Sequence, residues 1–259
     1  MQVESFSGRD VQSNAKLFAS LKELPLSHAP VLVSVIVPAL DEAGYIERTI
    51  ASVEKQAGPT EVIVVDGGST DATAARAAAR GARVVAASQG RARQMNAGAA
   101  RARGDVLLFL HADTTLPDGA LAAVRHALST GEETDASVRA GTFCLRFDRD
   151  GWLLRIYALA TRLVRWRRFC YGDRGLFVRR AAFEAVGGFP DWPIFEDLEL
   201  ADRLHQHGAF RYLPLAVTTA ARRFERTGPL RQQLQNLALW AHYLLGTDPE
   251  AVASRYRYD

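Results

Sequence analysis

Acidic side chains stand directly after three short apolar runs in the first half of the chain. Asp41 and Glu42 follow VLVSVIVP, and Asp66 ends EVIVVD. Asp113 ends FLHAD, two residues after His111. Carboxylates that come close together repel one another unless a cation or hydrogen-bond donors hold them. A hard divalent cation is commonly bound by one or two carboxylates and completed by phosphate oxygens. These residue types therefore predict a site for a phosphate ligand with a bound metal ion.

The apolar runs that carry these acids alternate with helical segments. The pattern predicts strands at 31–38, 61–66, 82–87 and 105–113, and helices at 44–57, 71–80, 90–104 and from Pro117 to about 129. Such alternation indicates a parallel sheet with helices on both faces. Parallel strands end on one edge, where ligands of open α/β sheets collect, so we expect the acids to converge there.

The second half of the chain has a different pattern, with fewer clear strands. It predicts an antiparallel strand at 139–147, a basic helix at 152–168, a strand at 175–180, and helices at 196–207 and 229–246. No linker separates the halves, which favours one α/β domain with a mixed C-terminal part. We expect a polar leader at 1–30, the domain at 31–225 and a helical extension at 226–259 packed on it.

Composition excludes several classes of protein. The chain has 259 residues, 48% of them hydrophobic, which is enough for a large core. Its 32 Lys and Arg against 29 Asp and Glu do not suggest a dedicated nucleic-acid binder. Cys144 and Cys170 lack metal or disulfide spacing, which favours a reduced, cytoplasmic protein. No apolar run reaches the ~18 residues of a membrane span, so attachment to a membrane would be peripheral.

The motifs together resemble a known enzyme family. VSVIVPALDE, VIVVDGGSTD, GRARQMNAGA, FLHAD and FEDLEL occur in an order and spacing similar to those of the family 2 glycosyltransferases, which have the GT-A fold. The chain looks most like a small soluble bacterial branch with the GRARQMN motif, and the likeness covers about residues 31–225. It implies inverting transfer of a sugar from a UDP- or GDP-linked donor, assisted by Mn²⁺ or Mg²⁺.

The resemblance also implies roles for individual residues. Asp197 would be the catalytic base, with Glu196 as the alternative, and Asp113 would be the metal ligand together with His111. Asp173 and Arg174 would face the donor or acceptor, and we assign them to the acceptor side. The residues expected to bind the donor are Pro38, Leu40, Glu42, Asp66, Gly67, Arg91, Arg93, Asn96, His111, Ala112, Arg222 and Arg223.

Two positions depart from the family pattern. His111 replaces the first acid of an Asp-x-Asp motif, which would weaken metal binding and favour Mn²⁺ over Mg²⁺. Met95 stands where many relatives have an arginine, and Arg91 or Arg93 could take its place.

Several segments also have plain structural interpretations. VDGGSTD could be only a capped turn. Glu196 and Asp197 could simply complement the dipole at the start of a helix, and Asp173 could pair with Arg174. The basic helix at 152–168 could lie on an anionic membrane and serve a lipid-linked acceptor, or could pack with a solvated arginine face. The apolar residues of the helix at 229–246 favour packing in the core or a homodimer contact.

Other activities fit the sequence less well. A nucleotidyltransferase would usually carry a Gly-rich loop with Arg and Lys after the first strand, where this chain has PALDEAGY. A nicotinamide enzyme would have GxGxxG at the same turn. The departures at His111 and Met95 leave a non-catalytic nucleotide- or glycan-binding module as an alternative to the transferase.

Overall fold

The structure is a computed structural model in which residues 31–129, 138–163 and 172–255 are described. The predicted leader at 1–30, the end of the predicted helix 152–168 and Cys170 lie outside the described residues.

Strands and helices alternate in the first half of the chain. The described strands are β1 (Val33–Ala39), β2 (Thr60–Asp66), β3 (Arg83–Ala86), β4 (Val106–Phe109), β5 (Thr114–Thr115), β6 (Val138–Phe147), β7 (Leu176–Arg179) and β8 (Ala209–Thr219). The described helices are α1 (Ile46–Glu54), α2 (Thr73–Ala79), α3 (Arg91–Ala99), α4 (Ala120–Ser129), α5 (Trp152–Leu163), α6 (Arg180–Ala185), α7 (Glu196–His207), α8 (Arg222–Thr227), α9 (Pro229–Leu244) and α10 (Pro249–Arg255). A short 3₁₀ turn covers Gly172–Arg174.

The described strands form one sheet in the order β3-β2-β1-β4-β7-β6-β8-β5. Strands β3, β2, β1 and β4 are parallel, as the alternating pattern predicts. Strand β7 is antiparallel to both β4 and β6, whereas β8 is parallel to β6 and antiparallel to β5. The predicted α/β architecture, a mostly parallel sheet that becomes mixed toward the C-terminus, is confirmed.

Side chains of β1 enter two cores, one on each face of the sheet. Val33, Val35 and Val37 join a cluster that includes apolar residues of α1 and α4. Ile36 joins a second cluster with residues of α3. All seven residues of β1 are buried. Because helices cover both faces, the strand is almost continuously apolar instead of alternating.

Helix α3 packs very closely on the sheet at Gly98. A Cβ atom on this residue would lie 2.5 Å from Cγ2 of Ile36 and 2.9 Å from Cγ2 of Val65. Glycine is therefore needed here for packing and not for an unusual backbone angle. The close contact fixes α3, whose first residue Arg91 reaches the site described below.

The predicted antiparallel strand at 139–147 is present as β6, with one correction. It is antiparallel to β7 but parallel to β8, and most of its residues are buried. Both of its faces are covered, so the alternation expected of a half-exposed strand is absent.

Strand β8 was not predicted from the sequence. Pro214 lies in the middle of AFRYLPLAVTT, and proline argues against an inner strand. In the structure the pairing of β8 with β6 shifts register between Tyr212 and Ala216, so Pro214 falls within the irregular part. A proline at such a bulge removes no hydrogen bond from the ladder.

The C-terminal helices pack against the start of α7. Leu239 of α9 and Val252 of α10 are buried in one cluster with Ile194, Phe195 and Leu198. Among the described helices, none combines the length and the apolar character that crossing a bilayer requires.

Candidate active site

A cleft of about 650 Å³ lies at the edge of the sheet where β1 and β4 end. Its wall contains residues from both halves of the chain. The predicted site residues that the structure brings together here are Pro38, Leu40, Glu42, Arg91, His111, Ala112, Asp113, Asp173, Asp197 and Arg222.

Hydrogen bonds between the loop after β1 and the turn after β2 fix the position of Glu42. The backbone N–H of Asp41 donates to Ser69 Oγ at 3.0 Å, and that of Glu42 donates to Thr73 Oγ1 at 2.7 Å. Asp41 has a φ of 53° and accepts a hydrogen bond from the backbone N–H of Thr70 at 2.7 Å. A left-handed non-glycine residue costs about 1–3 kcal/mol and persists only where neighbouring contacts enforce it. The VDGGSTD segment therefore holds the first loop in place.

Asp66, which the sequence predicts to bind the donor, does not lie in the cleft wall. Its carboxylate accepts hydrogen bonds from the backbone N–H groups of Gly68 at 3.3 Å and Ser69 at 3.2 Å, and from the Ser69 hydroxyl. Gly67 likewise donates its N–H to the carbonyl of Ala39 at 2.9 Å and lies outside the wall. The structure thus shows the capped turn that the sequence left as an alternative. A role for Asp66 toward a nucleobase stays a prediction.

Arg222 connects the acidic groups of two loops. Its Nη2 atom lies 3.2 Å from Asp113 Oδ2 and also donates a hydrogen bond to Glu42 Oε1. Its guanidinium carbon lies 4.9 Å from the centre of the Tyr45 ring. Burial alone would lower the pKa of Arg222, but the hydrogen bond to Glu42 and the charges of both carboxylates outweigh burial and raise it. A permanent positive charge is therefore held between the two acids.

Asp113 has the surroundings of a ligand for a cation. Its side chain is 14% exposed, and Oδ1 accepts hydrogen bonds from the hydroxyls of Thr114 and Thr219 at 3.4 Å each. Across residues 31–129, 138–163 and 172–255, no three His, Cys, Asp or Glu side chains are placed to hold a metal ion. The protein would therefore supply only one or two ligands, with a diphosphate completing the shell. In this structure the guanidinium of Arg222 lies between Asp113 and Glu42, and the role of Asp113 as a metal ligand stays a prediction.

The two predicted catalytic acids have different environments. Asp197 lies in the cleft wall, whereas the Glu196 side chain is 2% exposed and its Oε1 atom lies 2.9 Å from Nε of Arg91. Burial raises the pKa of Glu196 against the opposing charge of Arg91, and the charge of Asp197 raises it further. Phe195, with a φ of 68°, turns the chain into α7. Successive helical residues point roughly 100° apart, so only one of the two acids faces the cleft.

Two predicted donor-binding side chains of α3 have partners elsewhere. Arg93 is exposed, and its Nε atom lies 2.7 Å from Asp191 Oδ1. The amide of Asn96 donates to the Phe189 carbonyl at 2.8 Å and accepts from the Phe189 N–H at 3.1 Å. Neither Arg93 nor Asn96 lies in the cleft wall, and their expected donor-side roles stay predictions. Of the GRARQMN residues predicted to bind the donor, Arg91 alone lies in the wall.

Arg174 does not lie in the cleft wall, and its expected acceptor-side role stays a prediction. It is 1% exposed, and its Nε atom donates to the Phe143 carbonyl at 2.9 Å. The neighbouring Asp173 does line the cleft. Arg223 belongs to α8, but its side chain lies outside what the structure describes.

Some cleft residues were missed by reading the sequence. Tyr157 of α5 lies in the wall, as do Gln232, Asn236 and Leu239 of α9. The three α9 residues are spaced i, i+4 and i+7, so they share one helical face. Two amides on an otherwise apolar helical face are the signal that could have identified them.

Comparison with known proteins supports the family and the fold. The model of Glycosyl transferase family 2 matches residues 34–187. A glucosyl-3-phosphoglycerate synthase of Mycolicibacterium paratuberculosis is 37% identical over 113 residues, which cover 38% of this chain and 33% of that protein. The matched region thus spans about a third of the length of that relative.

Two solved structures have the same architecture. Glucosyl-3-phosphoglycerate synthase from Mycobacterium tuberculosis, in complex with Mn²⁺, UDP-glucose and phosphoglyceric acid, has a TM-score of 0.56 and 26% identity, covering 76% of this chain and 74% of that one. A mannosyltransferase from Pyrobaculum calidifontis, in complex with GDP-Man and Mn²⁺, has a TM-score of 0.58 and 22% identity, covering 88% and 71%. The predicted GT-A fold is confirmed.

Proposed function

The chain belongs to glycosyl transferase family 2, and we propose that it transfers a sugar from a nucleoside diphosphate to an acceptor hydroxyl with inversion. The observation that carries this proposal is a single cleft whose wall contains Asp197, Asp113 and Arg222. The similar structures contain UDP-glucose and GDP-Man, which supports a UDP- or GDP-linked donor. The Pro38–Glu42 loop would then lie against the nucleoside.

Asp197 is the general base in this proposal. Its carboxylate takes the proton of the acceptor hydroxyl while the hydroxyl oxygen bonds to the anomeric carbon. The bond from that carbon to the diphosphate oxygen breaks on the opposite side, and its electron pair leaves with the diphosphate. A positioned base typically contributes ~10²–10⁴-fold. Glu196 suits this role less well because it is buried against Arg91.

The acidic and basic groups after β1 and β4 would hold the leaving diphosphate. Asp113 would be the protein ligand of Mn²⁺ or Mg²⁺, with His111 as the second candidate. When bound, the ion would stabilise the negative charge that develops on the diphosphate. Arg222 presents a planar guanidinium that can contact two phosphate oxygens at once. Arg91, held by Glu196, adds a second positive charge to the same wall.

A screen of UDP- and GDP-sugars with and without Mn²⁺ tests this function. We expect one donor to raise the Tm only when metal is present, and to be cleaved slowly to nucleoside diphosphate. Metal-dependent binding without cleavage or transfer would favour the non-catalytic module. Pyrophosphate release from a nucleoside triphosphate and a sugar phosphate would favour a nucleotidyltransferase. Absence of binding to every donor would contradict the proposal.

We further propose that the protein works at the cytoplasmic face of a membrane, on an acceptor that includes a lipid. Two helices next to the cleft, α5 and α9, expose apolar side chains at i, i+4 and i+7. Their exposed fractions are 70%, 56% and 53% for Trp152, Ile156 and Leu159, and 63%, 60% and 45% for Leu230, Leu234 and Leu237. Two such stripes on neighbouring helices are typical of interfacial amphipathic helices.

The charges of these helices favour anionic lipid over a second copy of the chain. Neither α5 nor α9 contains Asp or Glu, and both carry an exposed arginine, Arg155 and Arg231. Arg155 pairs with Asp150, which precedes α5, at 3.2 Å. A twofold contact between these faces would bring arginine toward arginine. The opposite face of α9 lines the cleft, so a lipid surface and the reacting groups would lie on two sides of one helix.

Vesicle co-sedimentation tests the membrane contact. We expect binding to phosphatidylcholine vesicles that contain phosphatidylserine, weakened by salt and lost when Leu234→Gln and Leu237→Gln are combined. Val31→Gln, which changes an apolar residue 38% exposed outside this face, should bind like the wild type. A doubled mass by light scattering that the paired variant abolishes would assign the face to a homodimer. Equal binding by wild type and paired variant would contradict the contact.

A further inference from the structure

Arg222 lies where a cation and a diphosphate would compete for contacts. Its guanidinium contacts both Glu42 and Asp113, from the loops after β1 and β4. The two carboxylate side chains are each 14% exposed, so neither is fully solvated. Without the guanidinium, two partly buried negative charges would face each other. In the absence of ligand, therefore, this arginine offsets one of the two negative charges.

A divalent cation on Asp113 and the guanidinium that contacts Asp113 Oδ2 would repel each other, because both are positively charged. A diphosphate changes this balance, because it offers the arginine two new oxygen acceptors in the geometry that a guanidinium prefers. Phosphate oxygens would supply the ligands of the ion that the described protein residues lack.

We propose that Arg222 is an exchangeable internal cation that leaves Asp113 to the metal ion and moves to the diphosphate when the donor binds. The inference rests on the function proposed above and deepens it. Glu42 keeps the arginine close to the site during the exchange, since it contacts the same Nη2 atom. Arg222 is the first residue of α8, and Gly228, at a φ of 86°, ends this six-residue helix.

The exchange makes metal and donor binding interdependent in a specific way. Arginine opposes binding of the ion alone but supports binding of the ion together with the diphosphate. Removing the arginine should therefore change the two affinities in opposite directions. If the arginine only stabilised the fold or only attracted phosphate, its removal would not tighten binding of the metal ion in the absence of nucleotide.

Binding of Mn²⁺ alone, followed by the paramagnetic signal of the free ion, is the decisive measurement. We expect Arg222→Gln to tighten Mn²⁺ binding about tenfold without nucleotide, a coupling of ordinary size. The same variant should weaken binding of the preferred nucleotide, UDP or GDP, in the presence of Mn²⁺. In Arg222→Gln combined with Asp113→Asn, the tightening should disappear. Arg222→Lys, with a charge but no planar fork, should fall between wild type and Arg222→Gln, and it serves as the test variant if Arg222→Gln fails to fold.

Arg48 offers a matched control. Its guanidinium carbon lies 4.6 Å from the same Tyr45 ring, and its Nη2 atom lies 3.3 Å from Asp148 Oδ2. Arg48→Gln removes an equal charge nearby, yet should leave Mn²⁺ affinity within about twofold of wild type. The exchange would be refuted if Arg222→Gln bound Mn²⁺ no more tightly than wild type, or if Arg48→Gln tightened binding as much as Arg222→Gln. Either result would leave the proposed function standing. If wild type bound no Mn²⁺ with either UDP or GDP, the proposed metal-assisted function would fail as well.

Discussion

Replacing Asp197 by Asn tests which of the two acids at the start of α7, Asp197 or Glu196, is the catalytic base. The side chains have the same shape, and Oδ1, which accepts the N–H of Leu198 at 2.8 Å, is retained. Folding and donor binding should therefore be unchanged, whereas the proton acceptor is lost. Loss of a general base costs ~10²–10⁴-fold in rate, which corresponds to about 2.7–5.4 kcal/mol in the activation barrier.

Glu196→Gln is the matched comparison, since it changes the neighbouring acid in the same way. In the wild type, Glu196 Oε1 accepts a hydrogen bond from Arg91 Nε at 2.9 Å. Glutamine keeps that oxygen and removes the buried charge. We expect turnover to fall by at most about tenfold, because the hydrogen bond to Arg91 is kept and only its charge assistance is lost, about half of the ~1.5–3 kcal/mol of such a bond.

The assay is release of nucleoside diphosphate from the donor identified by the screen, with water or an acceptor as the second substrate. Donor affinity, measured by the shift in Tm, should be equal in wild type and Asp197→Asn, so that the loss lies in turnover. Near-normal cleavage by Asp197→Asn together with collapse in Glu196→Gln would move the base to Glu196 and refute the assignment.

Three further predictions concern binding and stability. Asp113→Asn should abolish metal-dependent donor binding in calorimetry, and unchanged affinity with Mn²⁺ present would remove this residue from the metal site. Gly98→Ala, whose Cβ would lie 2.5 Å from a methyl group of Ile36, should lower the free energy of unfolding by about 1–3 kcal/mol. Gly44→Ala, which meets no atom within 4 Å, is the control in urea titration, and equal values for the two would contradict the packing argument. Burial raises the pKa of Glu196 above its ordinary value of 4.5, so the folded carboxyl keeps its proton where the unfolded one loses it. The contribution of Glu196 to the free energy of unfolding therefore falls as pH rises above 4.5. In urea titrations over that range, the free energy of unfolding of Glu196→Gln should rise relative to that of wild type. A stability difference independent of pH would contradict the shift.

The sequence was most informative where structure depends on neighbouring residues. Helical and strand periodicities predicted the parallel sheet, and β1 to β4 lie close to their expected positions. That Glu42 and Asp113 would share one edge followed from the parallel arrangement alone. The resemblance of the motifs to a glycosyltransferase family was specific because several of them occur in order.

Other features depended on contacts that sequence does not display. Asp66 ends its strand as expected, yet the nearby N–H groups of its own turn bind its carboxylate. Glu196 and Asp197 are adjacent in sequence, and only the packing of α7 decides which one is buried. Strand β8 was hidden by Pro214, because a bulge is a property of two paired strands.

The sequence by itself determined the kind of fold, the residues at the strand ends and the class of chemistry. Tertiary structure decided which of these residues share the cleft, and added partners that are remote in the chain. Arg222 lies 180 residues after Glu42. Helix α9 contributes the amides of Gln232 and Asn236 to the cleft wall, and no sequence motif identified them. The physical reason is that periodicity and capping act over a few residues, whereas the direction of a charged side chain depends on which oppositely charged group the folded chain brings within contact.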